Sequence, residues 1–310
     1  MFETYDRITG LFLKNCRRNC LAENSVSTYA RCFRYLREFA EKRGDSEVDS
    51  RTVAAWKLSL DVSINTLDQY LRSVLRLSEF AESCGELSEP LIRPDLLPPT
   101  KKVAQARHKE YNHILDGAAA RALMGAKRAN YGRTPHTFLR EKAAVTLLLT
   151  SGLRNTELRN LTPADLDWDR GLLKARVTKG DKPRTAPFSH EAMQAVRDYL
   201  KSGLRPADAS QDDFLLGTVG KDGKWHGLGN QQLSALVFNY TKSIIGEDAA
   251  CRTHALRHCM ASAALESGHA MDEIAEVLGH TNIATTQIYA KRLNPDAAIR
   301  SFGNLYGTLA

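Results

Sequence analysis

Four prolines between residues 90 and 99 constrain the fold of this chain more than any other feature. Proline removes a backbone donor and clashes with the preceding helical turn, so no helix can continue through SEPLIRPDLLPPTKK. With 310 residues, the chain is long enough for two domains that each bury a core. We therefore predict one domain at residues 1–98, a basic linker at 99–109 and a second domain at 110–310.

The first domain is predicted to be a small bundle of helices. Apolar residues recur at helical spacing in NSVSTYARCFRYLREFAEKRG and SINTLDQYLRSVLRLSEFAESCG, and each segment ends in a glycine that can close a helix. Asn24 and Ser25 are the expected capping residues of the first segment, and shorter helices are expected near residues 3–20 and 50–60. The predicted buried positions are Val26, Tyr29, Phe33, Leu36, Phe39, Ala40, Ile64, Leu67, Leu71, Val74, Leu75 and Phe80.

The second domain has a mixed pattern. Helices are expected near residues 110–126 and over TFLREKAAVTLLLTSG, and short strands with tight turns are expected in DLDWDRGLLKARVTKGDKPRTAPF. From Ser189 onward, helices are predicted again. The sequence therefore predicts a mainly α fold with a small β-sheet, of the α+β class.

Basic residues are in excess and are unevenly distributed. The net charge is +7 and the pI about 9.1, which favours an anionic partner, although a basic protein without one is an equally good interpretation. Residues 7–43 hold nine basic and three acidic side chains, whereas residues 45–95 hold five and ten. The first helices and the linker are thus the candidates for contact with an anion.

Neither a membrane nor an oxidising compartment is indicated. Charged residues interrupt the N-terminal segment too early for a secretion signal, and the longest apolar run, AAVTLLLT, is too short to span a bilayer. The six cysteines contain no C-x-x-C pair, which favours free, buried thiols in a reducing compartment. We expect a cytoplasmic protein, associated with the nucleoid if the anion is DNA.

The segment THALRHCMASAALESG raises a choice between a metal and a phosphate. His254 and His258 are four residues apart, the spacing of a two-histidine zinc site. A zinc hydrolase has a glutamate after its first histidine, where this chain has Ala255, and Arg257 would repel a bound cation. Alternatively, His254 and Arg257 bind an oxyanion, because arginine offers a fork of donors that matches phosphate oxygens. An isolated pair would be best explained by packing alone.

Three further segments carry residues of the same kind. TSGLRNTEL places Arg154 after the turn residue Gly152 and at the start of a short helix, where backbone N–H groups also face anions. VTKGDKPRTAPF places Lys179 at the tip of a predicted hairpin, and LGHTNIATTQIYA holds His280 and Tyr289. Each residue alone has an ordinary interpretation, such as an exposed turn lysine or a half-buried aromatic residue. Together they supply cations and donors without an acidic cluster for a metal.

In this order and spacing, the four segments resemble the motif set of the tyrosine recombinases, the phage integrase family. SVSTYARCFRYLREF also follows a family pattern at Ser25, Thr28, Leu36 and Phe39, and departs from it at Cys32, where tyrosine is frequent. That departure affects packing rather than chemistry. The resemblance covers the whole chain and implies a compact, two-domain, Xer-like enzyme without an arm-binding domain. Its helical, SAM-like core-binding domain would precede the catalytic domain.

The resemblance implies six catalytic residues: Arg154, Lys179, His254, Arg257, His280 and Tyr289. The two arginines would hold the non-bridging oxygens of the scissile phosphate. The lysine and His254 would transfer protons, with the lysine as the acid for the departing 5′ hydroxyl, and His280 would donate a hydrogen bond to the phosphate. The tyrosine would be the nucleophile that becomes joined to the 3′ phosphate. Glu157 and His258 would support the arginines structurally. No cofactor or metal is expected, because side-chain cations balance the transition-state charge.

The implied partner is a duplex DNA recombination site, bound by a homo-oligomer that ranges from a dimer to a tetramer. A second recombinase or an accessory DNA-bending factor is a candidate additional partner. After Tyr289, NPDAAIRSFGNLYG is predicted to form a helix that packs either on its own domain or on a neighbouring protomer. The candidate DNA-contacting residues are Arg31, Arg34, Lys42, Lys101, Lys102, Arg107, Lys109 and Arg184.

Three other protein classes share parts of this pattern. A type IB topoisomerase would relax supercoils without a specific site, and a zinc hydrolase would need a metal and a glutamate base. A silent DNA-binding regulator would form no covalent adduct, and the intact set of six residues argues against it. We therefore predict a site-specific DNA recombinase or integrase that acts in integration, excision, transposition or dimer resolution.

Overall fold

The computed structural model describes residues 2–100, 102–103, 115–131, 137–176 and 183–279. The chain divides into two compact units, Met1–Glu110 and Tyr111–Ala310. Their boundary falls one residue beyond the end of the segment interpreted as a linker. None of the helices in the described ranges combines the length and the apolar character needed to cross a membrane.

The first unit is a bundle of helices, as predicted. Helix α1 packs on α2 and α4, and α2 packs on both α3 and α4. A single turn of 3-10 helix follows at Pro94–Leu96, within the proline-containing segment. The bounds of the described helices are Glu3–Arg18 for α1, Glu23–Arg43 for α2, Ser50–Ser59 for α3 and Ile64–Ser83 for α4.

The predicted N-cap of α2 is wrong. The helix begins at Glu23, and Ala22 before it provides no side-chain hydrogen bond. Asn24 and Ser25 therefore lie inside the first turn rather than ahead of it. The predicted end is correct, because Gly44 closes the helix with a left-handed φ of +84°.

An aromatic cluster fills the core of the first unit. The ring of Phe12 makes edge-to-face contacts with Tyr29, Phe33 and Phe80, at centroid distances of 5.3, 5.7 and 5.5 Å. Cys32 is fully buried nearby, and its thiol donates to the carbonyl of Tyr70 at 3.5 Å. Burial raises the pKa of this thiol to about 12, so Cys32 is a packing residue and not a reactive one.

The second unit is built around α6, and residues 143–149 of this helix are all buried. They are buried because α5, α8, α9 and α10 all pack against α6. A helix that is apolar on every side is expected at the centre of such an arrangement. The described helices are α5 Gly117–Gly125, α6 Phe138–Ser151, α7 Asn155–Arg159, α8 His190–Lys201, α9 Asn230–Ile245, α10 Thr253–Glu266 and α11 Met271–Leu278.

Two small antiparallel sheets complete the described part of the second unit. The first has the order β1-β2-β3, with Ala175 paired to Arg184, and the second is the β4-β5 hairpin. Strand β3 packs against α11, which brings Arg184 to the end of that helix. The β4-β5 hairpin was not predicted, since only helices were expected after Ser189. The strands span Leu166–Asp167, Leu172–Ala175, Arg184–Pro187, Gly217–Val219 and Trp225–Gly227.

Candidate active site

Two helix ends meet at the candidate site, and a left-handed glycine follows each of them. Helix α6 ends before Gly152, with a φ of +59°, and α11 ends before Gly279, with a φ of +62°. A β-carbon on Gly152 would lie 2.7 Å from Cδ2 of Leu278, and one on Gly279 would lie 2.6 Å from Cδ of Arg184. Both positions therefore require glycine for conformation and for space.

Arg154 stands directly before α7, in an extended backbone conformation. Its backbone N–H and its Nη1 donate to Oε2 and Oε1 of Glu157, each at 2.7 Å. Its Nη2 donates to the carbonyl of Gly279 at 2.6 Å. The N–H of Arg154 thus has a carboxylate acceptor within the chain, and the expectation that backbone N–H groups at this helix start face an anion stays a prediction.

Arg257 lies in the first turns of α10 and joins the two helix ends. Its Nη1 donates to the carbonyl of Gly152 and its Nη2 to the carbonyl of Leu278, both at 2.6 Å. Carbonyls at a helix C-terminus lack intrahelical donors, so a buried guanidinium is an effective partner for them. Nη1 also lies 3.9 Å from Oε2 of Glu157, and only 6% of this arginine side chain is exposed.

The side chain of Arg184, which was predicted to contact DNA, lies at this site with 8% of it exposed. Its Nε and Nη2 donate to the two oxygens of Glu157 at 3.2 and 2.7 Å. Nη2 also donates to the carbonyl of Gly152 at 3.2 Å, and Nη1 donates to the carbonyl of Val277. These acceptors all lie inside the unit, and the DNA contact of Arg184 stays a prediction.

One buried carboxylate therefore serves three guanidinium groups. Burial alone would raise the pKa of Glu157, but the hydrogen bonds and charge of Arg184, followed by those of Arg154, hold it below its ordinary value. Together with Arg257, the four side chains carry an excess of two positive charges. A fixed excess of positive charge in a partly desolvated site is suited to binding an oxyanion.

His254 lies one turn before Arg257 on α10 and is open to solvent. Partial desolvation of its ring, followed by the positive charges of Arg257 and Arg154, lowers the pKa of this histidine. The lowered pKa favours the neutral form of the ring, which can accept a proton. His258, half-buried, follows on the same helix. Within the described ranges, no three His, Cys, Asp or Glu side chains form a metal-binding group.

A cleft of about 500 Å³, lined mostly by residues with polar side chains, opens beside His254. At its edge, Nη1 of Arg252 donates to Oγ of Ser234 at 3.2 Å, and the guanidinium lies 5.2 Å from the ring centroid of Phe238. These residues were not predicted as site residues, although Arg252, two positions before His254, was a usable signal. The polar residues of the cleft are Asn155, Asn230, Gln231, Ser234, Arg252, Thr253 and His254.

The remaining sequence candidates fall into two groups. Those outside the described residues are Lys101, Arg107, Lys109, Lys179, His280, Tyr289 and the predicted terminal helix. Those in the described ranges are exposed, namely Arg31, Arg34, Lys42 and Lys102. The structure therefore brings together Arg154, His254, Arg257 and Glu157, and adds Arg184 to them.

Comparison with known proteins settles the family. The sequence profile of the phage integrase family matches residues 108–294, which is more than half of the chain. The chain belongs to the phage integrase family. Tyrosine recombinase XerA of Thermococcus onnurineus is 29% identical to it over 265 residues, covering 83% of this chain and 82% of the relative. Tyrosine recombinase XerC of Mycobacterium sp. strain KMS is 34% identical over 207 residues, covering 65% of this chain and 63% of the relative.

Solved structures show the same fold. The XerH site-specific recombinase bound to a palindromic difH substrate has a TM-score of 0.69 at 17% identity, covering 91% of this chain and 80% of that one. The Tn1549 transposon integrase in complex with transposon right end DNA has a TM-score of 0.66 at 19% identity, covering 96% and 99%. The predicted fold class and family are confirmed, and with the family the predicted enzyme class, a tyrosine-type site-specific DNA recombinase.

Proposed function

We propose that Arg154, Arg257 and His254 form the phosphate-activating part of the recombinase active site. The supporting observation is the cluster in which Arg154, Arg257 and Arg184 surround Glu157 at two helix ends. The positive charges of Arg154 and Arg257 also act on the ring of His254. Nucleophilic attack at a phosphodiester passes through a transition state with added negative charge on its oxygens. Cations that are already fixed in place stabilise this charge without reorganisation.

The proposed reaction cleaves one DNA strand by transesterification. The phenol oxygen of Tyr289 forms a bond to phosphorus while the bond from phosphorus to the 5′ oxygen breaks. An ordinary tyrosine has a pKa near 10, so its proton must leave as attack proceeds, and neutral His254 accepts it. Lys179 protonates the departing 5′ oxygen, and His280 donates a hydrogen bond to the phosphate. Rejoining reverses these steps with a new 5′ hydroxyl, and the phosphotyrosine link conserves the bond energy.

We also propose that the cleft beside His254 receives the DNA backbone next to the scissile phosphate. Its amide, hydroxyl and guanidinium groups are donors of the kind that fix a duplex in register. Arg252 is the charged member, and its side chain is already oriented by Ser234 and Phe238. These contacts would position the strand without selecting its sequence.

The basic residues of the first unit and of the linker are proposed to contact phosphates along the duplex. Each neutralised phosphate releases counterions, so binding should weaken steeply with salt. Replacing Lys101 and Lys102 by alanine should flatten the plot of log affinity against log salt by roughly 1 to 2 units, for specific and random DNA alike. A matched control removes the exposed Lys221 and Lys224 from the turn between β4 and β5. An unchanged slope for the first variant would limit the linker lysines to a role in solubility.

A homo-oligomer is proposed on the DNA. Recombination of two duplexes breaks four strands, and each chain supplies one nucleophile, so a dimer on each site would assemble into a tetramer. A second recombinase or a DNA-bending factor would act on this assembly. Integration, excision, transposition and dimer resolution all use this chemistry, which would take place in the cytoplasm on nucleoid or mobile-element DNA.

The test of this function is covalent capture. Nicked duplexes tiled across the DNA that flanks the gene would be incubated with the chain in excess EDTA, and denaturant-stable adducts would be sequenced. The proposal predicts adducts at one inverted-repeat site. Relaxation of plasmids that lack any site would indicate a topoisomerase, and binding without an adduct would indicate a regulator. A strict requirement for Zn²⁺ would restore the zinc interpretation of His254 and His258.

A further inference from the structure

Arg184 differs from Arg154 in how its donors are used. Its contacts with Glu157, Gly152 and Val277 occupy four of the five N–H donors of its guanidinium. Arg154 donates two of its five side-chain N–H groups to acceptors among the described residues, and 19% of its side chain is exposed. Arg154 is thus placed to bind an additional anion, whereas Arg184 is committed to holding other parts of the unit.

The acceptors of Arg184 are the groups that hold Arg154 in place. Both oxygens of Glu157 accept hydrogen bonds from both arginines, directly or through the backbone N–H of Arg154. The Cδ of Arg184 also lies so close to Gly279 that a β-carbon there would collide with it, and the carbonyl of Gly279 is the other acceptor of Arg154. Removing Arg184 would therefore loosen both the carboxylate of Glu157 and the carbonyl of Gly279, which orient Arg154.

We propose that Arg184 is a positioning residue of the recombinase active site, which fixes Glu157 and the end of α11 so that Arg154 meets the scissile phosphate. This inference rests on the proposed function for its consequence in catalysis. A contact with DNA is not required, since the action runs through Glu157 and through the carbonyls of Gly152 and Val277. The fork geometry is essential, because the ammonium group of a lysine has three donors and cannot bind both carboxylate oxygens in the same plane.

The catalytic consequence can be measured against a closely matched control. Arg205 has 8% exposure, lies in the same unit, and donates to the carbonyls of Ala209, Ser210, Asp213 and Phe214, away from the site. R184Q and R205Q therefore each remove an arginine whose guanidinium makes four hydrogen bonds within the second unit. R184Q should lower the single-turnover cleavage rate on the order of 10²-fold, as small displacements of catalytic groups do, with DNA affinity within about threefold of the unaltered chain. R205Q should lower stability alone.

A second readout does not depend on cleavage. In the DNA-free, full-length chain with ¹⁵N-labelled arginine, the side-chain resonance of Arg154 would be assigned from its loss in R154K. R184Q should shift or broaden that resonance, and R205Q should leave it in place. R184K should fold and keep the positive charge. Its cleavage rate and its Arg154 resonance should lie between those of R184Q and of the unaltered chain, so R184K replaces R184Q in the test if R184Q does not fold.

The outcomes separate this inference from the proposed function. If the unaltered chain forms no adduct with any DNA, the proposed function fails and the Arg154 resonance alone decides the positioning role. If R184Q and R184K cleave as fast as R205Q, or if the Arg154 resonance is unmoved, the positioning role is wrong. Weakened DNA binding at an unchanged cleavage rate would instead restore the direct DNA contact predicted from the sequence.

Discussion

Arg154 and Arg257 share a predicted role, but their surroundings predict different results of substitution. R257A would remove the side-chain donor of the buried Leu278 carbonyl, at about 1–3 kcal/mol, and would leave the carbonyl of Gly152 with Arg184 as its remaining side-chain donor. R154A would remove the donor of the Gly279 carbonyl but leave Glu157 bound by Arg184. Arg154 is also more exposed than Arg257, at 19% against 6%, so water can replace its donors and R154A should cost less. Both should cleave on the order of 10²-fold more slowly. Urea unfolding and adduct formation measure the two effects, and equal stability of the two variants would contradict this assignment.

The surroundings of His254 predict an unusual titration. Desolvation and the charges of Arg257 and Arg154 lower its pKa, so in the DNA-free chain it should titrate below the usual value of about 6.5. NMR titration of the imidazole, assigned with H254Q, measures this midpoint. Adding vanadate as a phosphate analogue should raise the midpoint, because the anion offsets the arginine charges. A midpoint at or above 6.5 without vanadate would place His254 outside the field of both arginines.

At the residue scale, the sequence identified the motif residues but not the direction in which they point. Arg184 has the type and local context of a phosphate-binding residue, and only the packing of β3 against α11 turns it inward. Glu157 accepts from the N–H of Arg154, as a residue at the third position of a helix can, and its supporting role in catalysis stays a prediction from the family resemblance. Glu157 also contacts Arg184 and Arg257, which are distant from it in sequence, and no local sequence pattern reveals such contacts.

At the element scale, the close contact between the ends of α6 and α11 predicts that alanine destabilises the chain more at Gly152 than at Gly268, which follows α10. Gly152 and Gly268 both have left-handed backbones, but nothing lies within 4 Å of a β-carbon built on Gly268. G268A should therefore cost about 1 kcal/mol for conformation alone. G152A should cost about 1–3 kcal/mol more, since its β-carbon would lie 2.7 Å from Leu278 and 3.2 Å from Sδ of Met260. Equal free energies of unfolding in urea would show that the contact with Leu278 relaxes freely.

Helices of the first unit were predictable because their apolar residues recur at the helical period. Which face of α4 is buried was harder to predict from the sequence. Leu71 and Val74 are fully buried as predicted, but Leu77 and Ala81 complete that face, while Phe80 is only partly buried. An aromatic ring reaches the core from the side of a helix, so its burial does not mark the centre of the apolar stripe. The three-residue strands β4 and β5 are too short to produce a recognisable alternation.

At the scale of the whole molecule, Glu141 predicts how stability depends on pH. It is buried on α6, accepts a hydrogen bond from the hydroxyl of Tyr131, and burial raises its pKa to about 7. An unfolded glutamate titrates near 4.3, so the folded chain binds an extra proton between these values. The group therefore contributes a loss of stability that grows as pH rises from about 4.3 through 7.

E141Q removes this loss, because the amide stays neutral at every pH and can still accept the hydrogen bond from Tyr131. The stability of E141Q relative to the unaltered chain should rise by up to roughly 3 kcal/mol between pH 4 and pH 8. Urea unfolding of both chains across this range gives the difference directly. A difference that is independent of pH would mean that Glu141 has the same pKa in the folded and the unfolded chain.

The division of the chain into two units follows from features that act over long stretches, namely the prolines and the change from helical to mixed patterning. The family followed from four motifs whose order and spacing are specific in combination, and the match over residues 108–294 confirms it. The DNA contacts remain predictions, because base and phosphate readout depends on which side chains reach the duplex.

The most direct test of the central claim concerns Tyr289. A nicked suicide duplex bearing the captured site would be incubated with the unaltered chain, with Y289F and with Y306F, which removes another tyrosine hydroxyl near the C-terminus. Denaturing electrophoresis measures the covalent adduct, and titration of the same duplex measures affinity. We expect adducts with the unaltered chain and with Y306F, and none with Y289F, at equal DNA affinity. A denaturant-stable adduct with Y289F would contradict the account, because the nucleophile would then lie elsewhere.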